Sequence, residues 1–471
     1  MAEPRVVILG AGPAGVGGAY ALRKAGGASV TVIEANDVVG GNAGSFEWGG
    51  QRLDFGSHRL HPACDPRILA DIRDLMGDEL VDRPRHGRIR LGGAWIHFPL
   101  KPLDLLLHAN KRFVAGAMAD MVKRVLPRAK PEGDTFASVL EAKLGRTICN
   151  DFYFPYALKI WGRAPEEISS IQARRRVSAG SFGKLIRKIL SSVPGLKTPG
   201  AGRFFYPRRG YGAITEAFEA GARAAGAEFV MGWRVSGLRL DGDTWSVTAA
   251  RGQETRSFEA DYVWSTLPLT LLSRLVTPAP PQDVVDAGKA MRFRSMILVY
   301  LQLPVDRFTE YDAHYFPSAD IVITRLSEPK NYAALDEPRG STTICAELPC
   351  SVDDPWWSMS DDELGDIVAD ALARAGIPLP AAPVAVLTRR LTHAYPIYLT
   401  GYEKHFGTLD AWASSLHGLV SYGRQGLFAH DNTHHALAMA YGAADCLQNG
   451  RWDAAKWMRY RKEFEGHVVE D

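Results

Sequence analysis

Arg5 to Leu9 reads RVVIL and Val30 to Ile33 reads VTVI, two short β-rich apolar runs that predict strands. The stretch between them, rich in Ala and Leu and running to about Lys24, predicts a helix. Asp65 to Met76 places Ile68, Leu69, Ile72, Leu75 and Met76 on one helical face, and Gly77 ends it. Arg88 to Leu91 and Ala94 to Phe98 flank Gly92-Gly93 and read as a hairpin, after which Pro99 and Pro102 break the sheet. From about Leu103 to Ser192 the pattern is mostly helical. Leu105 to Val125 is amphipathic and carries Lys111, Arg112, Lys123 and Arg124, which suits either a helical insertion with one buried face or a helix on a membrane surface. Strands are expected at Phe229 to Trp233, Trp245 to Thr248, Tyr262 to Ser265, Arg294 to Leu303, Ile321 to Ile323, Ile344 to Leu348 and Val384 to Leu387, and a helix from Ala436.

The first two strands enclose chemistry. Gly10-Ala11-Gly12-Pro13-Ala14-Gly15 follows RVVIL at once, and Glu34 ends the second strand. Gly10 allows a tight turn, Gly12 lets the backbone approach a pyrophosphate, and Gly15 lets the helix pack close to the strand. The helix start offers free N–H groups to phosphate, and a carboxylate at Glu34 can accept from ribose hydroxyls. A lone GxGxxG is weak evidence and can be a structural turn. Here strand, turn, helix, strand and acid stand in order, so an adenine dinucleotide is expected. Gly40-Gly41-Asn42 reads as a loop close to that cofactor, or as a plain turn.

Composition narrows the setting. At 471 residues, with 46% hydrophobic and 23% charged residues, the chain suits an ordinary globular protein of two or three domains. Five cysteines without CxxC spacing favour reduced thiols and a cytoplasmic location. The first strand starts within five residues, leaving no signal peptide to expect, and no apolar run is long enough to span a membrane. The net charge is only +2, but it is segregated: the 48 residues from Ile168 to Thr215 hold ten Lys or Arg and no acid. Such a stretch implies an anionic ligand or surface, although most of its charges suit a solvated face. No nucleic-acid motif accompanies it. Two clusters set basic residues beside aromatics: Tyr156-Ala-Leu-Lys-Ile-Trp161-Gly162 followed by Arg174-Arg175-Arg176, and Tyr206-Pro-Arg208-Arg209-Gly210-Tyr211-Gly212. Guanidinium forks and tyrosine hydroxyls suit phosphate oxygens, and a tryptophan face suits a planar base. Packing roles for Trp161 and Tyr156 are the alternative.

These segments, with Leu53-Asp54-Phe55-Gly56-Ser57-His58-Arg59, resemble a flavoprotein superfamily. It includes amine oxidases, protoporphyrinogen oxidase and UDP-galactopyranose mutase. The resemblance implies an α/β fold. A discontinuous Rossmann-type FAD-binding domain would comprise residues 1–98, 203–280 and 401–471, with a helical insertion at 99–202 and a mixed β-sheet substrate domain at 281–400. It places His58 beside the flavin ring, Tyr156, Trp161 and Tyr211 along a substrate diphosphate and base, and Arg175 on the substrate. Arg174 or Arg176 is an alternative for that arginine. Thr324-Arg325-Leu-Ser-Glu328-Pro-Lys330 resembles a stretch whose arginine meets substrate phosphate and flavin; an Arg325–Glu328 ion pair is the plain alternative. Tyr395-Pro396 resembles a substrate-side turn.

The C-terminal segment Gly423-Arg424-Gln425-Gly426-Leu427-Phe428, continuing to His435, resembles the loop and helix start that hold FAD phosphate and flavin. By that likeness Gly423, Arg424, Asn432, Thr433 and His434 join Gly10, Gly12, Pro13, Ala14, Gly15, Glu34, Gly40, Gly41, Asn42 and His58 as cofactor contacts. The segment also departs from the pattern: His430 and Asn432 stand where the mutases carry tyrosine and aspartate. Its three histidines complete no convincing ligand shell, so no metal is expected.

The resemblance implies noncovalent FAD and a nucleotide-diphosphate sugar turned over as pyranose/furanose mutases do, through reduced flavin N5. His58, Arg175 and Arg325 would be the catalytic residues, and an external reductant such as NAD(P)H would charge the flavin. The alternative is an FAD-dependent oxidoreductase of amine oxidase, protoporphyrinogen oxidase or desaturase type. A third reading is a non-enzymatic FAD-binding partner protein. The expected ligand is a small anion, and a homodimer is open.

Overall fold

The computed structural model describes residues 3–125, 133–176 and 202–469. Strand β1 (Arg5–Leu9), helix α1 (Pro13–Ala25) and strand β2 (Ser29–Ile33) open the chain. A hairpin, β3 (Gly87–Leu91) and β4 (Ala94–Phe98), precedes the helical region containing α2 (Phe154–Trp161) and α3 (Ser170–Arg176). Strands β5 (Glu228–Val230) and β6 (Tyr262–Ser265) follow, then β7 (Arg292–Leu303), β8 (Ala313–Tyr315), β9 (Arg325–Ser327), β10 (Thr342–Cys350) and β11 (Ala385–Ile397). Strand β12 (Leu419–Ser421) and helix α4 (Thr433–Cys446) come near the end.

Five strands form a parallel sheet in the order β12-β6-β1-β2-β5. Its middle strand shows why RVVIL carries no polar face. Val6 and Ile8 pack into one core with α1 and α4, and Val7 and Leu9 pack into a second core with Trp245 and Val247. A parallel strand covered on both sides has no solvent face to encode. A four-stranded sheet supplies the second cover, pairing Glu254–Ala260, Thr244–Arg251, Arg234–Asp241 and Val276–Thr277 in that order.

The third sheet has seven strands in the order β11-β7-β10-β9-β8-β3-β4. All its neighbours are antiparallel except β8 with β3. The early hairpin thus joins strands far along the chain. The helices between β4 and α3 build a separate core around Phe136, Leu140, Ile148, Ile160 and Trp161.

Four expectations change. Tyr395-Pro396, expected as a turn, lies within β11, paired with Arg294 and Phe293 of β7. The amphipathic run from Leu105 breaks into Pro102–His108 and Lys111–Val125, because the Asn110 side chain accepts from Arg112 N at 2.9 Å and starts a new helix. The strand expected at Ile321 to Ile323 is irregular backbone that buries both isoleucines, and the ladder instead begins at Arg325. The strand at Phe229 ends at Val230, before the buried Trp233. Lys184, Arg187, Lys188 and Lys197 of the basic stretch lie outside the described residues, as does the side chain of Arg176.

Candidate active site

Between the parallel sheet and the seven-stranded sheet lies a cavity of about 360 Å³. Gly10, Gly12, Pro13, Ala14, Glu34, Gly41 and Asn42 border it. The glycine turn is built by three different constraints. Gly10 sits at φ +94, and its N–H donates to Ile33 O at 2.8 Å. A Cβ on Gly15 would lie 1.9 Å from the Gly10 carbonyl oxygen, so Gly15 sets how closely α1 meets the turn. A Cβ on Gly12 would meet no heavy atom within 4 Å, which leaves the space in front of α1 open. No side chain caps α1 and no acid lies in its first turn, so its N–H groups stay available to an anion.

Glu34 is buried and braced. Its Oε2 accepts from Ala11 N at 2.8 Å, and its Oε1 accepts from Asn36 N at 2.9 Å and Nδ2 at 2.7 Å. Gly40 N donates to Ala11 O at 2.9 Å, tying the second glycine loop to the first. Gly15, Gly40 and Gly423 therefore shape the wall from behind; a Cβ on Gly423 would lie 2.6 Å from Ala14 Cβ. This cradle fits an adenine dinucleotide, with room for pyrophosphate at Gly12 and a fixed carboxylate at Glu34.

The loop Asp54 to Arg59 is held from below. Buried Asp54 accepts from Ser45 Oγ at 2.6 Å, Tyr206 OH at 2.5 Å and Tyr211 N at 2.8 Å. Burial nonetheless pushes the Asp54 carboxyl up, against those donors and the nearby His58. His58 borders the cavity, and its Nε2 lies 2.9 Å from Phe55 O. A carbonyl only accepts, so Nε2 carries the proton and Nδ1 is left as acceptor in the neutral ring. Burial lowers the His58 pKa, opposed by Asp54 and helped by Arg325.

The other walls carry Tyr156, Arg325 and Tyr395, together with Arg424, Asn432 and Thr433. Arg325 Nε and Nη2 donate to Glu347 Oε1 at 2.9 and 2.7 Å, and the same oxygen accepts from Ser57 N at 3.0 Å. The partner is thus Glu347, not Glu328. Glu328 accepts from Phe308 N, Thr309 N and Thr342 Oγ1, and Lys330 donates to three carbonyls, so both pin loops. Arg424 Nη1 and Nη2 donate to Asp431 O and Ala394 O, each at 2.6 Å. Asn432 caps α4 in a reciprocal pair with His435.

Besides Gly15, Gly40 and Gly423, four expected contacts among the described residues do not border the cavity. Trp161 is 3% exposed, with its ring edge-on to Phe136 and to His430; on α2 it shares the buried face with Ala157 and Ile160. Tyr211 is buried, stacked on His58 with ring centroids 5.3 Å apart and bonded to Thr433, so it positions the histidine. Arg175 lies on Tyr398, donating to its OH at 3.1 Å. His434 is buried against His435. Sequence reading missed Arg85 and Arg203, and left Arg59 without a role beside His58; all three border the cavity. Arg59 is fastened to Tyr315 OH, Asp312 and Tyr332 OH. Among the described residues the bordering arginines are Arg59, Arg85, Arg203, Arg325 and Arg424, five against the three acids Glu34, Glu347 and Asp431.

The sequence profile of the flavin containing amine oxidoreductases matches residues 13–445. The chain belongs to that family. It is accordingly an FAD-dependent enzyme. Its sequence is 28% identical over 266 residues to a phytoene dehydrogenase of Streptomyces griseus, a match that takes in 50% of each chain. The chain thus spans about half the length of that curated relative. Among solved structures, a reduced UDP-galactopyranose mutase superposes with a TM-score of 0.81 at 20% identity, over 99% of this chain and 100% of that one. A cyclohexylamine oxidase from Brevibacterium oxydans gives 0.66 at 20% identity, over 98% of this chain and 100% of that one. Both likenesses speak for the fold. No helix among the described residues is long and apolar enough to cross a membrane. All five cysteines are buried and free.

Proposed function

We propose that this family member acts on a small anionic substrate, best matched by a nucleotide-diphosphate sugar, in a redox-neutral pyranose/furanose mutase reaction. The observation that carries the reading is the excess of arginine around the cavity among the described residues, with Tyr156 and Tyr395 also bordering it. A wall with that balance favours a diphosphate over an ammonium substrate. Noncovalent FAD would lay its pyrophosphate at Gly12 and the start of α1, its ribose at Glu34, and the remainder along Gly41, Asn42, Asn432 and Thr433. Reduced flavin supplies a nucleophilic N5, and oxidised flavin supplies a hydride acceptor.

The chain's own residues do the rest. Arg325 is oriented by Glu347, so one edge of its fork is spoken for and the remaining donor is aimed without further loss of side-chain freedom. Tyr156 and Tyr395 offer hydroxyls to the same phosphate oxygens. Neutral His58 presents Nδ1 as an acceptor and adds no positive charge beside the flavin. Arg175 and Tyr211 act through Tyr398 and His58 rather than on the substrate.

A second reading, an oxidase or desaturase, draws on other observations. Ile160, Phe204, Leu267, Met296, Leu298 and Leu391 give the cavity an apolar side, and the phytoene dehydrogenase match is to an oxidoreductase. One anaerobic experiment separates the two. Enzyme is incubated with UDP-, GDP- and TDP-sugars, with and without dithionite. The mutase reading expects isomerised product only with reduced flavin, with no reductant consumed beyond the initial reduction. It is overturned if no nucleotide binds by calorimetry and oxidised enzyme bleaches stoichiometrically with its substrate.

A further inference from the structure

Beside the cavity lies a cluster that the proposed chemistry does not use. Asp431 immediately precedes the cap of α4, His435 lies in its first turn, and His467 follows the last helix, Ala454–Phe464. One ligand-capable atom from each lies within 4.8 Å of the other two. His467 Nδ1 is 3.3 Å from Asp431 Oδ2, and His435 Nδ1 is 4.0 Å from Asp431 Oδ1. The two imidazoles stack with centroids 4.2 Å apart. The Asp431 side chain is 0% exposed, and its Oδ1 has no hydrogen-bond partner among the described residues. A buried carboxylate oxygen without a donor requires a reason. His435 and His467 also border a second hollow, whose wall includes Asp445, Tyr460 and Glu463.

We propose that Asp431, His435 and His467 bind a divalent transition ion such as Zn2+, with a fourth position open to water in the second hollow. Two imidazoles and one carboxylate suit this class of ion and not Ca2+ or Mg2+, which prefer all-oxygen shells. Tetrahedral bonds of about 2.0–2.1 Å set neighbouring ligand atoms about 3.3 Å apart. His467 Nδ1 and Asp431 Oδ2 already stand at that spacing, and His435, whose Nδ1 accepts from Asn432 N at 3.3 Å, turns from the helix cap to join them. The ion gives Asp431 Oδ1 the partner it lacks. It also fastens the end of the chain to the cofactor loop: Val469 borders the main cavity, and its N–H donates to Arg175 O at 2.8 Å. The assignment stands on these side chains alone and is independent of which substrate the enzyme turns over.

The test uses tag-free holoenzyme treated with EDTA. Calorimetric titration with Zn2+ should show one ion per chain, and Co2+ should give visible d–d bands of a four- or five-coordinate site. His467→Gln keeps a donor for Asp431 but removes the imidazole, and His435→Gln tests the second ligand. Each should weaken Zn2+ binding beyond the roughly 10- to 100-fold that loss of a supporting partner causes, while the flavin spectrum and circular dichroism stay unchanged. Wild-type enzyme that binds neither ion overturns the site. So does Zn2+ affinity that is the same in wild type and both variants, which would place the ion elsewhere.

Discussion

Gly12 and Gly15 lie three positions apart in one turn, yet substitution should fail at each for a different reason. Gly12 has φ −71 and ψ −179, an extended conformation open to any residue, and a Cβ there meets nothing within 4 Å. Gly12→Val should therefore fold with a melting temperature close to that of apoprotein and purify colourless, its side chain filling the pyrophosphate space. Gly15→Ala drives a Cβ to 1.9 Å from a backbone oxygen and should cost about 1–3 kcal/mol of stability or more. Flavin absorbance per chain and urea unfolding distinguish the two. Gly12→Val that retains stoichiometric FAD would remove the cradle from consideration. This part of the site was legible in the sequence because its geometry is local: turn, helix start and Glu34 lie within thirty residues. Trp161, Tyr211 and Arg175 were not. Their residue types suited a phosphate or a base, but the faces they present are decided by His430, His58 and Tyr398, partners far away in the chain.

Between elements, the informative contact is the one joining β9 to β10. Arg325 stands directly across the ladder from Glu347, so their ion pair is fixed by register as well as by charge. The Glu347 side chain is only 5% exposed. Arg325→Ala leaves that carboxylate buried without its cation and should destabilise the fold by about 3–5 kcal/mol. Arg325→Met combined with Glu347→Leu should recover most of this in urea unfolding, because neither charge remains. Activity should be lost in both variants if Arg325 holds substrate. Recovery of turnover in the double variant would make the arginine purely structural. The apolar pattern led to a strand at Ile321 to Ile323, where both isoleucines are buried but the backbone is irregular. It placed the strand too early because burial, not pairing, is what apolar patterning records. The glutamate that pairs with Arg325 sits in the next strand, 22 residues on, beyond the reach of an argument from neighbouring residue types.

At the scale of the whole molecule, part of the acid sensitivity should trace to a histidine outside the site. His314 on β8 is buried beneath Trp95 and Tyr311, and burial together with Arg88 lowers its pKa to about 3. The unfolded chain takes up this proton near pH 6.5, whereas the folded protein excludes it until about pH 3. Stability from this group is therefore complete above pH 6.5 and falls as pH drops, by about 2 kcal/mol between pH 6.5 and 5. His314→Phe should flatten that part of the profile in denaturant titrations at the two pH values; an unchanged slope would show that the ring already carries its proton in the native state. The parallel sheet has another consequence, one that concerns synthesis. β1, α1 and β2 are made well before β6, so β1 gains a neighbour on its other side only when β6 arrives, and β6 gains its own outer neighbour only when β12 arrives. The RVVIL strand thus stays unpaired on that side until Tyr262–Ser265 has been made, a long-range closure that delays a stable cofactor cradle and leaves an open strand edge in the meantime.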